Sequence, residues 1–254
     1  MKILLAPSET KTPNGDNKFK LSSLIFPPLD RESIYYRYIN IIKNGDKDIL
    51  SKMFGLKKEV DINFYKDEIQ TQKGKKAIER YSGVAFNYLD YPNLNSDAKK
   101  YIDNNVLIFS NLFGILRADD MIPNYKLKQE ELVDDIKVDK FYKENLKEVL
   151  DDYLKDEDIL NLSANYYDKF YKPCKSYTTL KFLKDNKVVS HWAKAYRGLV
   201  LKAIAEANIS TLNDFIKLSI DGLYMKDIKT IKNKTEIIYD IYVVKKLSTI
   251  TLTH

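Results

Sequence analysis

The amino-acid sequence predicts an α+β chain: one mixed α/β domain over residues 1–254, with a central mixed β-sheet flanked by helices. Three observations predict it. Short continuous apolar runs, each stopped by a polar residue or proline, read as strands of a sheet covered on both faces. Segments of helical period lie between them. No internal repeat, heptad run or low-complexity linker divides the chain, and 254 residues are enough to bury one substantial core.

The first strand runs from Ile3 to Ala6, and Pro7 stops it. Ser33 to Lys43 places Ile34, Tyr35, Tyr38, Ile41 and Ile42 at helical spacing and ends near Gly45. Ile49 to Asp67 contains a glycine turn at Met53 to Leu56, followed by Lys57 and Lys58. A hairpin joining two helices there would aim backbone N–H groups and lysines at a phosphate. A plain helix C-cap at Gly55 explains the same residues. Val106 to Phe109 and Ile159 to Leu162 are further buried strands, and Phe141 to Leu154 is an amphipathic helix with an acidic face. Tyr177 to Leu183 and Lys187 to Trp192 flank "KDN" as a hairpin. Ala193 to Ala207 carries Tyr196, Leu199, Val200, Ala203, Ile204 and Ala207 on a helical face, with Asn208 as its stop. Thr211 and Asp214 form a variant capping box, and Glu236 to Val244 is a late β-branched strand.

An apolar fraction of 44% and a charged fraction of 31% belong to a soluble globular protein. No apolar run approaches the roughly 18 residues of a membrane helix, and Pro7 interrupts any signal-like start. The single cysteine, Cys174, excludes an internal disulfide and fits a reducing cytoplasm. The expectation is a cytoplasmic protein without a membrane partner. Net charge is only +6, but it is unevenly spread. Gln129 to Asp168 holds five Lys against thirteen Asp and Glu, or −8; Lys169 to Lys202 holds eight Lys and one Arg against one Asp, or +8. Two solvated faces that neutralise each other account for this, as does an electropositive surface for a phosphate-bearing partner.

Three strands end in polar groups: "APSETK", "SNLFG" and "NLSANYY". A fourth, ending at Trp192, feeds the helix of Lys194 and Arg197. Open sheets bind ligands at the carboxyl ends of their strands. Ser8, Glu9, Lys11, Arg117, Asp120, Asn161, Lys194 and Arg197, with Thr10, Ser110 and Ser163, would pool there as a polar, cationic cleft suited to a small anion. Arg117 leads as a bidentate clamp, and Glu9 or Asp120 would be a general base. Arg117 and Asp120 are also close enough in sequence to pair with each other within one helical turn. Lys194 and Arg197, three apart on one helical face, sit comfortably only beside solvent or an anion. Gly198, inside that helix, costs about 1 kcal/mol relative to alanine and implies a close packing contact. The P-loop glycines and the G-x-S-x-G elbow are both missing. His191 and His254 have no partners at zinc-ligand spacing, so neither a metal nor a cofactor is expected, and no catalytic residue is assigned.

Taken in order, these motifs resemble the YaaA family of peroxide-stress proteins over nearly the whole chain. "LLAPSETK" is similar to its first strand and turn, and "YSGVAF" to its Tyr-x-Gly segment. Ser110, Leu112, Gly114, Leu116, Arg117, Asp120, Tyr125 and Leu127 fall on the most specific pattern. Asn161, Leu162 and Tyr167, then Lys194, Arg197 and Gly198, and finally "DGLY" complete the series. Tyr166 stands where some members have Glu. The resemblance implies a cytoplasmic protein of the peroxide response that binds double-stranded DNA and limits iron-associated damage. It also implies a helix-hairpin-helix element, carried over here to about residues 47–68, with Gly55, Lys57, Lys58, Lys194 and Arg197 as DNA contacts. An enzyme or binder of a small anion, using the strand-end cleft, is the alternative. Iron sequestration by carboxylates and tyrosines is a weaker reading, for which no ligand spacing argues.

Overall fold

A computed structural model describes residues 1–26 and 30–242. Val243, Val244 and His254 lie outside the described residues. In chain order the strands and helices begin with β1 (Lys2–Leu5), β2 (Asn17–Lys18), α1 (Arg31–Asn44), α2 (Lys47–Phe54) and α3 (Glu59–Gln70). β3 (Lys73–Lys76), α4 (Ala77–Arg80), α5 (Val84–Leu89) and α6 (Ser96–Asn105) follow. Then come β4 (Val106–Ser110), β5 (Gly114–Arg117), β6 (Met121–Pro123), β7 (Leu132–Val133), β8 (Ile136–Lys137) and α7 (Val138–Tyr153). The last are β9 (Ile159–Leu162), β10 (Tyr177–Lys184), β11 (Lys187–Val188), α8 (Ser190–Glu206), α9 (Leu212–Lys217), β12 (Leu223–Ile231) and β13 (Lys234–Ile241).

The main sheet is mixed, in the order β12-β13-β10-β9-β1-β4-β5, with β11 paired to β10. β13, β10, β9, β1 and β4 run parallel, while β5 and β12 are antiparallel edges. β1, β4 and β9 are mostly apolar because helices cover both faces, and Ile3, Leu4, Ile108, Phe109 and Leu160 are fully buried. A small sheet of β2, β3 and β6 and a β7–β8 ladder lie outside it.

Local chemistry sets the helix ends. The Asp30 carboxylate accepts the Ser33 N–H to open α1, and Asp46 does the same for α2. Thr211 caps α9 through the Asp214 N–H. Asn208, with φ of 49°, follows α8 and stops it. Two details differ from the sequence reading. Lys187 to Trp192 is not a strand: only Lys187 and Val188 pair with β10, across a turn at Asp185 and Asn186 with φ of 51° and 62°. α8 then begins at Ser190, and the short β11 shares with β9 the edge of β10 opposite β13. The second detail concerns β5. A tight turn ending at Gly114, with φ of +76°, reverses the chain after Ser110, so "GILR" returns alongside β4 instead of entering a helix.

Candidate functional site

β1 lies among the parallel strands, with β4 on one side and β9 on the other. The chain visits β4 first and β9 later, so the order reverses at β1. Such a switch point opens a crevice at the carboxyl ends of the strands. Leu5 leads into Pro7, Ser8, Glu9 and Thr10, and Lys11 then bridges Tyr81. Ser82 donates to the Thr10 carbonyl at 3.0 Å, and the Thr10 hydroxyl donates back to the Ser82 carbonyl at 2.9 Å. These bonds hold the loop after β1 against the start of α5. Gly83 has φ of +118°, and a Cβ there would stand 2.9 Å from Ser8 Oγ, so only glycine fits.

The result is a cleft of about 460 Å³ whose walls include Ser8, Glu9, Phe86, Tyr167, Lys194 and Arg197. Arg197 also borders a smaller cavity of about 110 Å³ with Asn161, Ser163, Thr179, Asp168 and Glu236. The half-buried Arg197 side chain makes no hydrogen bond or ion pair among the described residues. Burial pushes its pKa down. Lys194 is exposed and equally unpartnered among the described residues.

Behind Ser8 and Glu9 lies a polar cluster. The Lys11 ammonium sits 4.0 Å from the ring centroid of Tyr125 and 5.1 Å from that of Tyr81. The two tyrosine hydroxyls share a 2.8 Å bond, and Tyr125 shares another with Ser110, whose Oγ accepts the Phe113 N–H. Lys126 is buried and lies 3.4 Å from the Glu9 carboxylate. Tyr167 donates to Asn111 and stacks on Phe109.

Of the residues expected in the cleft, Ser8, Glu9, Thr10, Lys194 and Arg197 line it. Lys11 stands behind them, and Asn161 borders the smaller cavity, where its Oδ1 accepts from the Ser163 N–H and hydroxyl. Arg117 and Asp120 are elsewhere. Because β5 is antiparallel, Arg117 pairs in register with Leu107 at the amino end of β4, the opposite edge of the sheet. Its guanidinium pairs with Asp119, not with Asp120. Asp120 is buried and accepts the backbone N–H groups of Arg117 and Ile25. Both residues hold a turn.

Gly55, Lys57 and Lys58 form the α2–α3 connection. Gly55 takes φ of 68° as the C-cap of α2, and a Cβ there would meet the Lys128 side chain at 2.8 Å. The Lys128 N–H bonds Met53, and its neighbour Gln129 lines the cleft, so this connection lies behind the cleft wall. Lys57 and Lys58 are exposed without side-chain partners among the described residues. The first turn of α3 carries Glu59 and Asp61, which place negative charge where a helix would meet a phosphate.

Tyr81, Tyr125, Lys126 and Tyr167 escaped the sequence reading as site residues. Tyr81, Tyr125 and Tyr167 were visible within the motifs, but nothing in their spacing shows that three separate segments converge.

A family model described as "Peroxide stress protein YaaA" matches residues 1–228, a span that includes every wall of the cleft. The chain belongs to this family. An uncharacterized protein of Campylobacter jejuni is 40% identical over 244 residues, covering 95% of this chain and 99% of the relative. A UPF0246 protein of Fusobacterium nucleatum is 29% identical over 242 residues, or 92% and 97% of the two chains. One of Streptomyces coelicolor is 29% identical over 217 residues, or 80% and 82%. As a YaaA-family member the protein is a peroxide stress protein. Among the described residues no helix is long and apolar enough to cross a membrane, and no group of three or more His, Cys, Asp or Glu is placed to hold a metal.

Proposed function

We propose that this YaaA-family protein acts in the peroxide response by binding a phosphate-bearing ligand in the strand-end cleft, with Arg197 and Lys194 as its anion contacts. One observation carries the reading: Arg197 is held half-buried between two cavities without any partner among the described residues. A guanidinium in that position keeps its five donors for something not part of the fold, and a phosphate matches them bidentately. Titration with inorganic phosphate and a nucleoside monophosphate tests it. Saturable binding should weaken at least about tenfold in Arg197→Ala, as expected for charge-assisted bonds, and stay unchanged in Arg117→Ala. Equal binding by all three proteins overturns it.

Duplex DNA in the cytoplasm is the second reading, favoured by exposed Lys57, Lys58 and Lys194, all unpartnered among the described residues, of which Lys194 lines the cleft. Contacts of this kind are to backbone phosphates and carry no base specificity. Occupying DNA would shield it from iron-driven oxidation, giving the family's stress role a physical route. Acidic Glu59 and Asp61 weaken the α2–α3 turn as a phosphate site, so the larger loss should fall on Lys194→Ala/Arg197→Ala rather than Lys57→Ala/Lys58→Ala. Affinity should fall steeply as salt rises; a flat salt dependence sinks this reading.

A further inference from the structure

Lys11 is unusual among the lysines of this chain. Its ammonium faces two aromatic rings and reaches only the carbonyls of Ser8 and Glu9, each at 3.4 Å, long for hydrogen bonds. No carboxylate among the described residues lies within ion-pair distance of it, and the Glu9 carboxylate is engaged by Lys126. Ring faces favour the charged form. Burial acts against it, with Lys126 and Arg80 adding to the effect and Glu9 partly offsetting it, and the pKa falls well below the usual lysine value. A desolvated lysine beside a second cation is the arrangement that makes an amine nucleophilic near neutral pH. Ser8 and Glu9, which its Nζ touches, are walls of the cleft, and the residue keeps partial exposure.

We propose that Lys11 is an amine nucleophile that condenses with an aldehyde or ketone carbonyl on a phosphate-bearing ligand seated against Arg197 and Lys194. The proposal rests on the phosphate reading of the cleft. The amine lone pair forms a C–N bond while the carbonyl π pair moves to oxygen. Both amine hydrogens then leave with that oxygen as water, giving the imine. Solvent carries the protons between nitrogen and oxygen. No oxidant or reductant takes part.

The test incubates the full chain with glycolaldehyde phosphate and sodium cyanoborohydride, which reduces any imine to a stable secondary amine. Peptide mass mapping then locates the adduct. Labelling should concentrate on Lys11 and proceed at least about tenfold faster than with unphosphorylated glycolaldehyde. Lys11→Arg, which keeps the charge over Tyr125, should remove that adduct and leave inorganic phosphate binding intact. Labelling of Lys11 no faster than of exposed Lys57 overturns the nucleophile, even where phosphate still binds. Equal rates with the two aldehydes, or unchanged selectivity in Arg197→Ala, overturn the phosphate seat instead, and with it the proposal as stated.

Discussion

Gly198 of α8 approaches Ala85 of α5 so closely that a Cβ at position 198 would lie 2.1 Å from the Ala85 carbonyl oxygen. Ala85 lines the cleft, and Gly198 follows Arg197 directly. The contact therefore sets the distance between the two helices that frame the anion site. It also answers the oddity of a glycine in mid-helix.

Gly198→Ala should consequently destabilise the protein. In an ordinary helix the change gains about 1 kcal/mol. Here the obstacle is backbone, which no rotamer change can move aside, and overpacking of this kind costs about 1–3 kcal/mol. The expected outcome is a lower urea midpoint together with weaker phosphate binding. A raised midpoint would show that the helices separate freely.

Arg80 is fully buried and donates to four carbonyls, those of Thr12, Asn14, Lys73 and Ile122. Burial pushes its pKa down to about 10, and Glu68 partly opposes the shift. The guanidinium ties the loop after β1 to β3 and β6. Arg80→Met should cost about 3–5 kcal/mol, since it orphans several buried acceptors at once. Arg80→Lys should recover only part, because an ammonium cannot span the same four carbonyls. Denaturation midpoints of the two variants check the order.

Much of this architecture is legible in the sequence because burial on both faces leaves continuous apolar runs. β1, β4 and β9 were visible that way, and α1, α7 and α8 by helical period. Direction was not visible. Nothing in "SNLFGILR" announces that Gly114 turns the strand back, yet that reversal carries Arg117 to the far edge of the sheet. β12 escaped for the opposite reason: as an edge strand it is largely exposed, so "LYMKDIKTI" has no buried side to mark it. The tyrosine and lysine cluster depends on contacts between Lys11, Tyr81 and Tyr125, which are distant in sequence, and no local pattern records them.

Arg117→Ala separates these placements by experiment. Its side chain is 41% exposed and pairs with Asp119, a surface pair worth less than about 1 kcal/mol. The variant should fold with nearly wild-type stability and bind phosphate normally. Asp120→Ala should do worse, losing about 2–4 kcal/mol, because two backbone N–H groups lose their acceptor. Loss of ligand binding by folded Arg117→Ala would contradict the far-edge assignment.

Alkaline pH should unfold the protein through its tyrosines. Tyr125 and Tyr239 are buried, and burial raises each to about 12. Burial raises Tyr38, Tyr81, Tyr142 and Tyr167 as well. A raised folded pKa means that stability is whole below the unfolded value of about 10 and is lost as pH climbs toward the folded one. Tyr125 and Tyr239 together remove up to about 3 kcal/mol per pH unit across that window. Lys11 has the opposite sign, because its lowered pKa adds stability as pH rises toward about 10.5. That gain is complete just as the tyrosine loss begins. Tyrosinate absorbance and circular dichroism should therefore change together in one cooperative step above pH ~10, with the buried hydroxyls ionising only as the fold opens. Tyr125→Phe should make the stability curve shallower there. Gradual ionisation of all tyrosines near pH ~10 in a still-folded protein would show that these hydroxyls are not held by the core.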